Sequence, residues 1–593
     1  ADAGDFEVTG NVTLAGNLDA DEGSNVTVGG TVALGANQLL NSGDGDFSIA
    51  AVTATMPAPA DRVVIDNEAA GEMNIVGDIT ITPEANNDGT DDALIAHIEN
   101  SGTGDLIIGG TISGNLATAD DDDGSNTETL YIYLDSDDGA GGTVTISADN
   151  SIDNFMNDGT ITINGNLTLT GANNAAHDNN DGTIDGSGTL IFADEGNDHT
   201  VNNAGTLGAL QVDRATELED GASVVTVKGA VVANADLTLD GSGVAGDDVF
   251  ENTVTVADGA TFTLFSAANG DGANASTVEF QDDVNVAGTF TNEAGANAIL
   301  DANLVQTGSG TVTAVADLNI AGDWTNSSSS ATTDVAATSS VDVDGTFTLD
   351  GTGTTTVNNA ITFNNFTQSS GTFLDGAGVN VTIEGDFYRT SGDFDLTTSD
   401  GTLIFAGDNA ASLTAGPQLV LHDLEVNKTS DAVVTVTQSL VIENDLTVAS
   451  GAGVDFGTKT FTVRNISTWN GAMTSSGAGG LLFDTDDAEI RGSGVYDNIT
   501  INTTNNVYVT TGENVEFGGN LYLADGTLMV DDADDATAAD LSPSDSATIT
   551  VNLQNGGQIS TQHQGTFNGE TNDYNLAYIG ALGAGTAVGS EFD

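Results

Sequence analysis

Along most of the chain, apolar residues alternate with Thr, Asn or Asp in short runs, and a Gly-Asn, Gly-Thr or Gly-Asp step breaks each run. Phe6-Glu-Val-Thr-Gly-Asn-Val-Thr-Leu14 is the first; Ile161-Thr-Ile-Asn-Gly-Asn-Leu-Thr-Leu169, Val341-Asp-Val-Asp-Gly-Thr-Phe-Thr-Leu349 and Val381-Thr-Ile-Glu-Gly-Asp-Phe387 repeat its form. A period of two puts Val, Ile, Leu and Phe on one side of an extended strand and Thr or Asn on the other. Glycine at the step allows a corner or bulge where a side chain would be strained. Each run therefore predicts two short, half-buried strands meeting at a bend, with inward Asn able to stack in ladders.

Longer phrases recur as well. Gly401-Thr-Leu-Ile-Phe405 returns as Gly479-Gly-Leu-Leu-Phe483, and an upstream copy stands at Gly188-Thr-Leu-Ile-Phe192. Recurrence of this kind marks a stacked array in which each unit buries its apolar side against the next. The predicted fold is all-β: a parallel β-helix (β-solenoid) rod with irregular acidic loop insertions. Its turns would take roughly 20–25 residues and lie about 4.8 Å apart. Tandem β-sandwiches would bring Pro-marked linkers and a Trp or Tyr per domain, whereas the whole chain has 5 Pro and 2 Trp. The pattern divides the chain into opening rungs or an assembly strand (1–43), an irregular acidic-loop region (44–158), a regular solenoid (159–530) and a C-terminal β region (531–593).

Charge changes the picture most. The chain has 593 residues, 8 Lys plus Arg against 89 Asp plus Glu, and a formal charge of −81. Such a surface has no basic stripe to neutralise phosphates, which excludes nucleic acid as a partner. Self-repulsion on this scale calls for high salt or bound cations. High charge with few aromatics also describes disordered chains, but sustained apolar alternation does not. There are no cysteines, hence no disulfide framework and no thiolate metal site. No run of 18 apolar residues predicts a membrane-spanning helix. The start at Ala1 is that of a secreted protein after leader cleavage.

Acidic loops are the candidate metal sites. Oxygen side chains at alternate positions before a glycine suit Ca²⁺. They occur at Glu84, Asn86, Asp88 and Asp91; at Asp121 and Asp123; at Asp135 and Asp137; and at Asp178 and Asp181. None completes a twelve-residue EF-hand loop, and solvated acidic turns explain them equally well. Catalytic signals are poor, and no enzymatic activity is expected. The basic residues Arg62, Arg214, Lys228, Arg389, Lys428, Lys459, Arg464 and Arg491 are scattered. Asp393 and Asp395 share a strand face, as glycosidase carboxylates do, but such pairs are frequent in an acidic chain. His97, His177, His199, His422 and His563 stand apart and read as surface or turn residues.

Leu440-Val-Ile-Glu-Asn-Asp-Leu-Thr-Val-Ala-Ser-Gly-Ala-Gly-Val-Asp-Phe456, followed by Lys459-Thr-Phe-Thr-Val463, resembles the repeats of large secreted bacterial β-solenoid proteins, the surface adhesins and cell-surface repeat proteins. The resemblance implies a parallel β-helix exported to the cell surface and carries over no catalytic residues. The expected function is that of an extracellular structural subunit, stabilised by cations and stacking end to end through strands near Phe6–Leu14 and Tyr574–Ile579 into a surface filament or layer. The alternative is an adhesin whose irregular loops at 44–158 bind a glycan or another cell.

Overall fold

The computed structural model describes all residues except 1–4, 21–22, 57–60, 84–92, 115–128, 137–141, 171–177, 194–197, 203–204, 220–223, 241–246, 265–275, 294, 330–331, 337–339, 477–478, 510–513, 518, 531–539, 544–548, 554–557, 562–565, 568–573 and 579–593. Among the described residues every regular element is a strand. The strands are parallel and stack as a β-solenoid of about 20 turns. The chain divides into two compact units, 1–318 and 319–593.

In the first unit a turn consists of three strands, one per face. Phe6–Val8, Val12–Thr13 and Leu18–Ala20 make the opening turn. On the first face Phe6 pairs with Val26, Val26 with Phe47, Phe47 with Met73 and Met73 with Leu106. On the second, Val12, Val32, Val52, Ile79 and Ile112 follow one another. On the third, Leu18, Leu39, Ile65, Ile98, Leu134 and Phe155 do so. The described parts of 44–158 thus lie in the same ladders as the residues before them. Beyond the opening turn, where Phe6 is exposed and Val12 and Leu18 are half-buried, each in-register column is apolar and buried because the side-chain period is two and a one-residue slip would turn the whole set outward.

The second unit repeats the arrangement. Its first face runs Val341, Ile361, Val381, Leu403, Leu424, Leu446, and its second runs Phe347, Phe366, Phe387, Leu413, Val436. Rings stack along these columns at the turn spacing: Phe366 lies parallel to Phe387 at 5.0 Å and Phe373 to Phe394 at 5.1 Å. Edge contacts link the columns across the interior, with Phe366 at 5.4 Å from Phe373. Offset and edge-on geometries of this kind add to the burial energy.

The long sequence repeat has a different meaning from the stacking repeat. Thr189–Phe192 is the second strand of its turn, Thr402–Phe405 the first and Gly480–Phe483 the third. The phrase specifies a strand with one apolar side, which any of the three faces accepts.

Corners explain much of the composition. A corner residue's carboxylate or amide oxygen accepts the backbone N–H of its counterpart one turn on. Asn25 Oδ1 takes the N–H of Asp46 at 3.0 Å, and Asp46 Oδ1 that of Glu72 at 3.0 Å. Asn365 serves Asp386 at 2.9 Å, Asp386 serves Ser412 at 2.7 Å, and Asp423 serves Asp445 at 2.8 Å. Where the strand ladder pauses, an amide would otherwise lack a partner. Glycine at the adjacent step has a steric cause. A Cβ on Gly77 would lie 2.2 Å from Ala50 O, and one on Gly165 would lie 2.2 Å from the Ala148 carbonyl carbon. Inside, Asn41 donates to Asn67 Oδ1 at 2.8 Å and Asn67 to Asn100 Oδ1 at 3.1 Å, the inward Asn ladder that the sequence predicts.

One face is interrupted. The third-face strand Asp393–Asp395 pairs with Thr372–Asp375. The next third-position strand, Leu419–Leu421, pairs instead with Leu440–Ile442 and heads a new ladder. Two local features account for the break. Asp395 Oδ1 accepts from Thr397 N at 2.8 Å and Thr397 Oγ1 at 2.7 Å, turning the chain away at once. Pro417, two residues before Leu419, has no N–H to offer a ladder.

Candidate functional site

Of the metal candidates, Glu84, Asn86, Asp88, Asp91, Asp121, Asp123 and Asp137 lie outside the described residues. Asp178 lies in the strand Asp178–Asn180, and Asp181 follows it on the surface. Asp135 closes the strand Thr129–Ser136, where His97 engages it. Among the described residues no three carboxylates or histidines converge as a cation site.

Two histidines instead tie neighbouring segments. His97 Nε2 lies 2.8 Å from Asp61 Oδ1 and its Nδ1 2.5 Å from Asp135 Oδ2, so one imidazole joins three successive third-face strands. Burial lowers its pKa, but the Asp135 and Asp61 hydrogen bonds and charges outweigh that and the net shift is upward. His422 lies 3.1 Å from both Asp400 and Asp423. His199 does not occupy the surface or turn position expected for it: it is buried in a strand, against Phe192, whereas His97 stands half-buried on the outward side of its strand. His177 and His563 lie outside the described residues.

Basic side chains are mostly paired. Arg464 forks Glu443 at 2.8 and 2.9 Å and reaches Asp484 at 3.3 Å. The buried Lys428 ammonium donates to Glu384 O. Arg389 is buried with only part of its guanidinium satisfied. It occupies an inward position of Phe387–Arg389, in register with Gln368 and Ala415, and is 6% exposed. Its Nη2 donates to Gly392 O at 2.5 Å, while Nε and Nη1 have no acceptor. Burial lowers its pKa, and the Asp393 charge opposes that, but the two form no ion pair among the contacts of the described residues.

Arg389 borders a notch where the third face breaks, with Nε and Nη1 themselves buried. This cavity of about 330 Å³ is bounded by Thr372, Arg389, Asp393, Phe394, Thr397 and Gln418, among others. Phe394 is buried on its border, its ring packed on Phe366, Phe373 and Phe387, and Asp393 is exposed there. Asp395, the other half of the carboxylate pair singled out in the sequence, is committed to Thr397 and Thr398. The sequence did contain a signal for Arg389: Phe387-Tyr-Arg389 alternates, so the arginine shares the inward parity of Phe387. In composition alone it is one of several scattered cations.

Comparison with known proteins adds no relative: no family model, no curated protein and no solved structure matches the chain.

Proposed function

We propose that this chain is a structural protein: an extracellular scaffold that assembles with copies of itself into a surface filament or layer and is stabilised by cations. The observation that carries the reading is the reuse of one three-strand turn from Phe6–Val8 onward, with apolar columns inside and Thr, Asn and Asp outside among the described residues. A chain spent in this way extends a surface and a stiff core rather than enclosing a reaction. Parallel turns present strand edges on which further strands of like pattern can add, and head-to-tail addition of identical units gives open filaments when the rotation does not close. With a formal charge of −81, lateral contact between copies requires screening or divalent bridges.

Electron microscopy and sedimentation of the purified protein in low salt, 1 M NaCl and millimolar Ca²⁺ test this. Fibres or sheets that form with Ca²⁺ or salt are expected; monomers under every condition overturn the proposal. Thermal melts separate the two roles of cations. If Ca²⁺ binds specifically, a chelator lowers Tm at constant ionic strength; if only screening operates, NaCl restores it fully.

A further inference from the structure

We propose that the Ser136 step of the inward asparagine column is a binding site for ordered water, which joins two amide ladders into one. Asn41, Asn67, Asn100, Ser136, Asn157 and Asn180 succeed one another at this position of the third face, one per turn. All are buried, with Asn100 and Asn157 0% exposed and Ser136 2%. Asn41 donates to Asn67 and Asn67 to Asn100, which uses Asn100 Oδ1 and leaves its Nδ2 over. On the far side of Ser136, Asn157 Nδ2 donates to Asn180 Oδ1 and Asn180 Nδ2 to Thr206 O at 3.2 Å, which leaves Asn157 Oδ1 over. Both leftover atoms are enclosed and have no partner among the described residues. An orphaned buried donor or acceptor forfeits its hydration, and here one of each flanks the same serine.

The identity of that serine supplies the room. Serine places a hydroxyl where asparagine has its carboxamide carbon and lacks the amide oxygen and nitrogen beyond it. The turns on either side carry whole carboxamides at the same position, so the step at Ser136 is short by those atoms. Asn100 and Asn157 stand two strand spacings apart, about 9.6 Å, which no single hydrogen bond spans. The Ser136 hydroxyl itself reaches Thr160 O at 3.5 Å, the weak limit of a hydrogen bond. The direction of the two ladders sets the ligand class. What fills the step must accept from Asn100 Nδ2 and donate to Asn157 Oδ1. A bare cation accepts nothing and a bare anion donates nothing, whereas water does both, and buried water holds about three such bonds. Water taking the Asn100 hydrogen, the Ser136 hydroxyl relaying and water donating to Asn157 make one run from Asn41 to the Thr206 carbonyl, in which each bond polarises the next. The inference is independent of the scaffold reading, since it concerns the interior of one chain and assembly is measured between copies.

A structure of the full chain at a resolution that shows ordered water tests the site directly. Density is expected beside Ser136, within hydrogen-bond reach of Asn100 Nδ2 and Asn157 Oδ1, and not at that place in Ser136→Asn. Hydrogen exchange read on peptides within 93–100, 129–136 and 154–157 tests the energetics. Ser136→Asn displaces the water and reproduces its bonds, so exchange is as slow as in the parent or slower. Ser136→Val displaces the water and reproduces none of them, so exchange is roughly 5–30-fold faster. A dry, closed step predicts the opposite for asparagine, which would overpack it and speed exchange. The proposal is overturned if the parent shows no density there, if Ser136→Asn exchanges faster than the parent, or if Ser136→Val does not. Should Ser136→Val fail to fold, the parent's own density and the Ser136→Asn exchange decide.

Discussion

Asp445 tests whether the acidity of this chain is architectural. Its Oδ1 accepts from Ile466 N at 3.2 Å and Asn465 Nδ2 at 2.8 Å, both one turn further on. Its own N–H is held by Asp423 at 2.8 Å. Asp445→Ala removes the shared acceptor and with it both hydrogen bonds. At about 0.5–1.5 kcal/mol net per hydrogen bond, with the corner half-buried, the loss is about 1–2 kcal/mol. Asp445→Asn keeps an oxygen in the same place and removes one negative charge, so it should cost little. Stacked turns unfold locally rather than in one transition. The suitable assay is therefore hydrogen exchange on the intact chain, read peptide by peptide. In Asp445→Ala the Ile466 amide should exchange about 5–30-fold faster, while the amide of residue 445, still bonded to Asp423, keeps its protection. If Asp445→Asn is as damaging as Asp445→Ala, the charge matters, through a bound cation, and the corner hydrogen bond is not what the carboxylate is for. If neither variant alters exchange, the corner bond contributes nothing.

Other residues give sharper contrasts. Gly165→Val should destabilise its turn by roughly 1–3 kcal/mol or more, since a Cβ there meets the Ala148 backbone, whereas Gly10→Ala, with nothing within 4 Å, should be neutral in the same denaturation experiment. Phe366→Ala should cost about 3–5 kcal/mol, because its ring touches Phe387, Phe373 and Phe394; exchange should rise throughout 361–396. His97 has a raised native pKa, so its contribution is fully present below the ordinary histidine value and is lost as pH rises through the native one. His97→Gln should therefore destabilise at pH 5.5 and do little at pH 9. Asp66 has the same sign for a different reason. Burial, chiefly, with Glu99 and Glu68 nearby, pushes its pKa up to about 7, so the favourable state is the protonated one and stability falls as pH rises from about 4 to 7. Asp66→Asn should melt higher than the parent at pH 8 and match it at pH 4.

Much of the fold was legible because strand stacking depends on local rules. The period-two runs around Ile161-Thr-Ile163 and Val341-Asp-Val343 give strand, inward side and bend together, and parallel stacking follows from their recurrence at about one-turn spacing. What the runs cannot give is which strand lies above which. Leu403 pairs with Leu424 and not with its near-copy Leu481, because each of the three faces accepts the same apolar side. The site was harder to read. Arg389 shows its inward parity in the sequence, but the notch it borders depends on the loss of a neighbour on the third face. That loss arises from the Asp395 turn and from Leu419 pairing forward to Leu440, relations among segments that no single motif contains. The acidic residues were read as calcium loops or solvated turns; their use as turn-to-turn acceptors was not foreseen, although the Gly-Asn and Gly-Asp steps already marked the corners.

The corner bonds also show how so acidic a chain can remain stacked. A carboxylate that accepts backbone N–H groups is stabilised in its charged form. Asp78, which takes both donors of Thr111, has its pKa lowered for that reason, and so does Asp486, through Thr503 first and then Asn505 and Thr504. Their contribution is present above the ordinary aspartate pKa and is lost as pH falls through the depressed native value. Asp66 and the half-buried Asp153 pull the other way, since desolvation raises both and favours the neutral acid. The opposing signs have different causes: hydrogen bonds from the next turn hold Asp78 and Asp486 charged, whereas desolvation pushes Asp66 and Asp153 toward the neutral acid. Stability should therefore peak at mildly acidic pH, falling on the acid side at the corners and on the alkaline side at Asp66 and Asp153. Added salt should relieve the mutual repulsion of the surface carboxylates yet leave the corner hydrogen bonds in place. A protein stabilised only by neutralising its charge would instead gain stability monotonically on acidification, and a melting curve taken from pH 8 down to pH 3 distinguishes the two.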